Sequence, residues 1–343
     1  MFKIFVAESA LKAVVLSESA KPKASQSSLY KIMRKRKKLY VSKETEDTSW
    51  SVEYKEKYGL TLDFSKSDYI KNIPTQPETV LQNPSSVFIL DIPITEAEKI
   101  QKSYGVICLS KELPNLSMLI DTNDEHTIGE REPLGNGWDT VLKSIKPLPS
   151  NTLILTDRYL FSNISPKTGD GIINVQRILD TLLPQRFLGE YHVIIVFDKE
   201  SMHSSFTFSL LVAQLNQVKL ALHREYPINL EILGITQDCE VYNKLHNRRI
   251  VSNYYVVKVE HKLAAFDKNL GTCMQTITPQ TLFTIDSLNN NSTSPLKSID
   301  HITAILREFS GTAPKLHNHD IYSYALNNKV MEKCTGIKNR ILK

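Results

Sequence analysis

Tyr191-His192-Val193-Ile194-Ile195-Val196-Phe197 is the stretch that decides the fold. It is rich in β-branched and aromatic residues, has strand length and lacks a polar face, so it predicts a strand buried on both sides of a sheet. Upstream, Gly171–Leu183 places Ile172, Val175, Ile178, Leu179 and Leu182 on one helical face and is stopped by Pro184. Before that helix, Thr152–Thr156 reads as a first strand. Downstream come a long amphipathic helix over Ser204–Glu225, a third strand at Leu230–Ile235 and a fourth over Arg249–Val259. Strands alternating with helices of this length predict an α/β fold, a mainly parallel sheet with helices on both faces.

The N-terminal part repeats the alternation on a smaller scale. Residues 2–7 read as a strand, 9–19 and 27–38 as helices, and Val87–Ile92 as a short buried strand. Thr95-Glu96-Ala97-Glu98 has capping-box spacing, with Thr95 as N-cap of a helix that ends near Tyr104-Gly105 before a strand at Val106–Leu109. Between Asp121 and Trp138 the chain turns polar and gains Gly129, Pro133, Gly135 and Gly137, the composition of a connection. The reading is therefore a smaller, basic α/β domain over 1–145 and a larger domain over 146–343. In the latter, Ser287–Ser294 forms a surface loop and Ile299–Phe309 a closing helix. Asp91, at a strand end, is a candidate metal carboxylate, although capping the chain is the commoner role for such a residue.

The 343 residues carry 42 Lys+Arg against 37 Asp+Glu, and 41% are hydrophobic, an ordinary globular composition. No apolar stretch approaches the roughly 18 to 20 residues of a membrane-spanning helix, and the first residues do not read as a secretory signal. Cys108, Cys239, Cys273 and Cys334 are too scattered for a disulfide framework or a zinc knuckle, so a cytoplasmic protein without metal or cofactor is expected. Residues 1–43 hold 11 Lys+Arg and 2 Glu, with the densest run at Arg34-Lys35-Arg36-Lys37-Lys38. Five adjacent cations demand solvent or a polyanion, so the run is either a solvated helix end before a strand or a nucleic-acid contact.

One constellation carries chemistry: Leu245-His246-Asn247-Arg248-Arg249-Ile250-Val251-Ser252-Asn253. Alternation along an extended chain would set His246 and Arg248 on one side, about 6 to 7 Å apart, close enough to grip one phosphate. The bland alternative is a turn histidine and a surface cation flanking a strand. Asp157-Arg158-Tyr159 follows the first strand of this domain, and Asp198-Lys199-Glu200 with His203 follows the second. In a parallel sheet these strand ends and His246 converge on one rim. Tyr254 and Tyr255 are candidates to stack on bases beside Arg248 and Arg249, although on a strand one of the two must face inward. His317 and His319 are a weak metal pair, more in keeping with a polar loop.

His246-x-Arg248-x4-Asn253, entering an apolar strand after an α/β repeat, resembles the His-x-Lys-x4-Asp motif of the phospholipase D superfamily. The resemblance spans about residues 150–268 and is closest to the degenerate phospholipase D-like domain at the C-terminus of MIT-domain proteins. In active members two copies of the motif form one metal-independent site, where one histidine attacks phosphorus and the other protonates the leaving group. The resemblance implies phosphate-binding roles for His246, Arg248 and Asn253, with His246 as nucleophile only if the site is active. The departures count against turnover. Arg248 replaces a lysine and Asn253 an aspartate. The Gly-Ser/Thr-x-Asn of active members is absent at Glu260-His261-Lys262-Leu263, and Leu316-His317-Asn318-His319-Asp320 does not complete a second motif.

Three readings follow. The first is a non-catalytic or weakly catalytic protein that binds a phosphate-bearing polyanion, nucleic acid first. Arg34, Lys35, Arg36, Lys37, Lys38 and Arg249 would supply salt-sensitive affinity, and the setting would be a subunit of a bacterial defence or DNA-transaction complex. The second is a metal-independent phosphodiesterase or nuclease completed across a homodimer through His246. The third is a protein-interaction subunit without nucleic-acid affinity.

Overall fold

The computed structural model describes residues 2–19, 33, 38–45, 48–112, 127–129, 137–142, 145, 148–162, 171–204, 207–239, 242–244, 247–266, 273, 275–282, 294–310, 320–324 and 331–342. The described residues form an α/β structure, and the chain divides into two compact units, Met1–Asp124 with Leu282–Ser294, and Glu125–Thr281 with Pro295–Lys343. This division lies about twenty residues before the expected boundary, because the segment ahead of residue 145 packs with the second unit. Ile128 bridges to Ile277, and Trp138 meets Phe266 edge-on at 5.3 Å while its Nε1 donates to Asn174 Oδ1 at 2.8 Å.

In the first unit β1 (Ile4–Val6), β2 (Lys38–Val41), β3 (Thr61–Asp63), β4 (Val87–Leu90) and β5 (Ile107–Ser110) form one all-parallel sheet in the order β3-β2-β1-β4-β5. The chain builds outward from β1 in one direction and then crosses back to build in the other, a doubly wound order whose switch lies between β1 and β4. Register partners stack across the sheet: the Phe5 ring lies 5.2 Å from those of both Tyr40 and Phe88. With Ile70, Ala97, Ile100 and Cys108 they make the core of one face. The buried residues Ala10, Leu11, Val14 and Val15 of α1 (Glu8–Ser19) lie on a helix packed against β4. Further helices of this unit are α2 (Trp50–Tyr58), α3 (Ser67–Asn72) and α4 (Ile94–Tyr104).

Two local expectations change. Helix α4 starts at Ile94 with Pro93 as its N-cap and no side-chain cap, so Thr95 already lies inside it and the capping box does not form. Lys38 opens β2 instead of ending a helix. Of the expected helix over 27–38, Met33 is described, helical and fully buried, whereas Arg34, Lys35, Arg36 and Lys37 lie outside the described residues.

The second unit holds α5 (Trp138–Val141), β6 (Thr152–Thr156), α6 (Gly171–Leu182), β7 (Tyr191–Asp198), α7 (Phe208–Ala221), β8 (Ile228–Ile235), β9 (Arg249–Ser252), β10 (Tyr255–Val259), β11 (Ile277–Thr281), α8 (Pro295–Arg307), β12 (Asp320–Tyr324) and β13 (Met331–Cys334). Its eight strands run in the order β11-β10-β9-β6-β7-β8-β12-β13. Only β6, β7 and β8, joined by helical crossovers, are parallel; the flanking strands are antiparallel. The sheet is thus mixed, with a parallel centre. The expected fourth strand over Arg249–Val259 is instead a hairpin, broken at Asn253-Tyr254.

Helices α6 and α7 lie side by side, and α7 closes on the sheet at Gly234, where an added Cβ would sit 2.8 Å from the Phe208 ring. Register puts Thr152, His192 and Glu231 on the opposite face. There Glu231 accepts the Lys338 N–H and Thr152 donates to Asn339, in the chain segment whose Leu342 carbonyl accepts from Arg307 of α8. Helices therefore cover both faces.

Candidate functional site

β8 ends and β9 begins on the same edge of the second sheet, so the described residues between them, 236–239, 242–244 and 247–248, lie along the carboxyl ends of β7 and β6. Three anchors fix that crossing. Tyr242 donates its hydroxyl to Asp198 Oδ2 at 2.7 Å at the end of β7. Arg158, just past β6 and 7% exposed, donates to the Tyr242 carbonyl at 2.6 Å and to Asn243 Oδ1 at 3.2 Å, with its guanidinium 3.6 Å from the Tyr242 ring centroid. Thr156 donates to the Asn247 carbonyl at 2.8 Å. The strand ends at Asp157–Tyr159 and at Asp198 therefore meet one rim with Tyr242, Asn247 and Arg248, the convergence expected from strand order. His246 lies outside the described residues.

Asp157 is fully buried and accepts backbone N–H groups from Leu263 at 2.6 Å and Tyr159 at 2.9 Å. Burial raises its pKa to about 6, against the pull of those two bonds and of the Arg248 and Lys262 charges. Asp198 is also buried; besides Tyr242 it takes the Glu200 N–H at 2.9 Å. Both carboxylates are thus committed to holding the rim together. The cations are not so committed: among the described residues no carboxylate lies within ion-pair distance of Lys244, Arg248, Arg249 or Lys262. The guanidinium of half-buried Arg248 sits over the ring of Tyr159, 5.7 Å from its centroid, and Tyr159 is 40% exposed. Arg249, half-buried at the start of β9, has its pKa lowered by burial.

Other expected site residues fall elsewhere. Asn253 occupies the turn at the far end of β9 from Arg248, beside the amino end of β6, where Ser252 pairs with Leu153. It is fully buried and its Oδ1 accepts from Ser252 Oγ at 2.8 Å, so one phosphate cannot bridge Arg248 and Asn253. Tyr254 and Tyr255 are at most 1% exposed, so neither is available to stack on a base. The exposed aromatic on the rim is Tyr159, whose sequence signal was its place just after a buried strand.

In the first unit the carboxylates near the switch point are engaged by the protein's own groups. Glu8, 1% exposed, accepts the Glu44 N–H at 3.0 Å and pairs with Lys12 at 2.5 Å, while Glu44 accepts the Ser9 N–H at 3.0 Å. Asp91 takes a 2.7 Å bond from Ser9 and a 2.6 Å ion pair from Lys111, which lower its pKa. The carboxylate singled out for a metal is thus engaged by a lysine and a serine. Among the described residues no group of three or more His, Cys, Asp or Glu is placed to hold a metal; His317 and His319 lie outside them. Lys38, the described member of the basic run, pairs with Asp63 at 2.7 Å and lies over the Tyr40 ring, so its charge is largely matched within the unit.

Among the described residues no helix is long and apolar enough to cross a membrane, and no disulfide joins any of the four cysteines. The chain matches no family model and no curated protein.

Proposed function

We propose that the second unit binds a phosphate-bearing polyanion, nucleic acid first among them, at the carboxyl-end rim of its mixed sheet, and does so without turnover. The observation that carries this reading is Arg248, a guanidinium held at the rim between the buried Asp157 and the exposed Tyr159 with no ion-pair partner among the described residues. A guanidinium so placed offers a fork of donors to phosphate oxygens. Lys244 and Lys262 extend the positive rim, and Arg34–Lys37 would add affinity that is independent of sequence. Binding is favoured over hydrolysis because the rim carboxylates are tied to backbone N–H groups and a tyrosine hydroxyl, and because Asn253 sits away from Arg248. The phospholipase D-like resemblance agrees with a phosphate ligand, and the reading keeps the cytoplasmic setting expected from the sequence as part of the proposal.

A gel assay with end-labelled single- and double-stranded DNA and RNA in excess chelator tests the reading. The wild type is expected to shift nucleic acid in a salt-sensitive way without cutting it. Arg248→Ala should weaken the shift and reduce the salt slope by about one ion. Cleavage that disappears in His246→Ala would instead establish the metal-independent phosphodiesterase. A wild type that shifts nothing across the salt series would overturn the reading in favour of a protein-interaction subunit.

A further inference from the structure

Resting on the polyanion reading, we infer that this rim prefers single-stranded nucleic acid and stacks an unpaired base on Tyr159. Tyr159 is 40% exposed, although it directly follows a buried strand and a residue, Arg158, that is 7% exposed. Its backbone is fixed, since its N–H donates to Asp157 at 2.9 Å and its carbonyl accepts from Ser162 Oγ at 2.9 Å. The ring is therefore presented from a rigid turn, which lowers the entropy lost on capturing a ligand. Arg248 lies over that ring, so a cation able to hold a phosphate adjoins a surface able to hold a base.

Phosphate contact beside an exposed aromatic is the pairing by which proteins take up single strands regardless of sequence, because every base has a π-face. A duplex keeps its bases stacked on one another and can offer the rim only its backbone. The two strand states should therefore share the contribution of Arg248 and differ in that of Tyr159. The inward burial of Tyr254 and Tyr255 leaves Tyr159 as the stacking surface on this rim among the described residues.

Fluorescence anisotropy of the full chain with a labelled oligothymidylate and with a duplex of equal length separates the terms. The wild type should bind the single strand more tightly. Tyr159→Ala should weaken single-strand binding about tenfold and leave duplex binding within about twofold, with Tyr159→Phe close to wild type. Arg248→Ala should weaken both. If Tyr159→Ala, shown to be folded by circular dichroism, binds the single strand as the wild type does while Arg248→Ala does not, stacking is overturned and the polyanion reading stands. If the wild type binds neither oligonucleotide, the single-strand inference and the nucleic-acid reading are both overturned, and binding to vesicles containing phosphoinositide in that event would assign the rim to a lipid headgroup.

Discussion

The guanidinium of Arg158 lies 3.6 Å from the ring centroid of Tyr242 and also donates to that residue's carbonyl at 2.6 Å, so one side chain grips the crossing segment by its ring and its backbone. Removing it strands a buried carbonyl and exposes the underside of the ring. Arg158→Ala is expected to cost about 3 kcal/mol, whereas Tyr242→Phe, which loses only the hydroxyl bond to Asp198, should cost about 1 kcal/mol. Urea denaturation of the two variants beside wild type measures the difference.

On the polyanion proposal, Asp157 makes rim affinity pH-dependent. Its pKa of about 6 means that it carries a negative charge beside Arg248 and Lys262 near neutrality and loses it as pH falls. Polyanion affinity should therefore rise as pH drops through about 6, and Asp157→Asn should flatten that part of the profile. Anisotropy titrations at constant ionic strength across that interval provide the check; an unchanged slope in Asp157→Asn would assign the effect to another group.

Glu231 makes stability pH-dependent. It is fully buried in β8, and burial raises its pKa from 4.5 to about 7 despite the Lys338 N–H that it accepts. A carboxyl whose pKa is higher in the folded state binds its proton more tightly there. Its stabilising contribution is thus full below the unfolded pKa and is lost as pH rises through about 7, a loss on the order of 3 kcal/mol. The titratable groups nearby are Glu190 and His192, 3.2 Å apart, together with Lys338 and Arg340. Glu231→Gln keeps an acceptor for the Lys338 N–H without the charge. It should unfold at higher urea than wild type at about pH 8 and show a smaller change between about pH 5 and about pH 8.

Gly171 begins α6 against the turn that carries Tyr159. A Cβ there would lie 2.0 Å from the Leu160 carbonyl oxygen and 2.9 Å from the Phe161 ring. Backbone cannot yield to that methyl, so Gly171→Ala should cost about 3 kcal/mol and shift the Tyr159 turn. Thermal unfolding reports the first effect, and reduced polyanion affinity in the fraction that remains folded reports the second.

Sequence reading worked best where burial leaves a local mark. The β7 run is apolar because both its faces are covered, and the α6 face is apolar because Val175, Ile178, Leu179 and Leu182 are buried. The rim was legible in part, since strand order alone sends Asp157 and Asp198 to one edge. The reading lost its footing where partners are distant in sequence. The β9–β10 hairpin is hidden because Asn253 and Tyr254 are turn residues with buried side chains, so the run reads as one strand. Strands β12 and β13 carry little β signal, as in Met331-Glu332-Lys333-Cys334, and gain their place by pairing with β8 and with each other. In the first unit the order β3-β2-β1-β4-β5 depends on which way each crossover travels, which no local pattern encodes.

The antiparallel seat of β9 beside β6 also governs when the rim can come into being. Strands β6, β7 and β8 are consecutive along the chain and each pairs with the next, so they can assemble as synthesis proceeds. The Thr156–Asn247 bond spans 91 residues, and the Arg158–Tyr242 grip spans 84. A nascent chain therefore holds a nearly complete parallel core while its carboxyl edge is still bare. The rim is the last part of this unit's centre to mature, and on the polyanion proposal a chain halted before residue 248 would be folded in its middle and still without its binding edge.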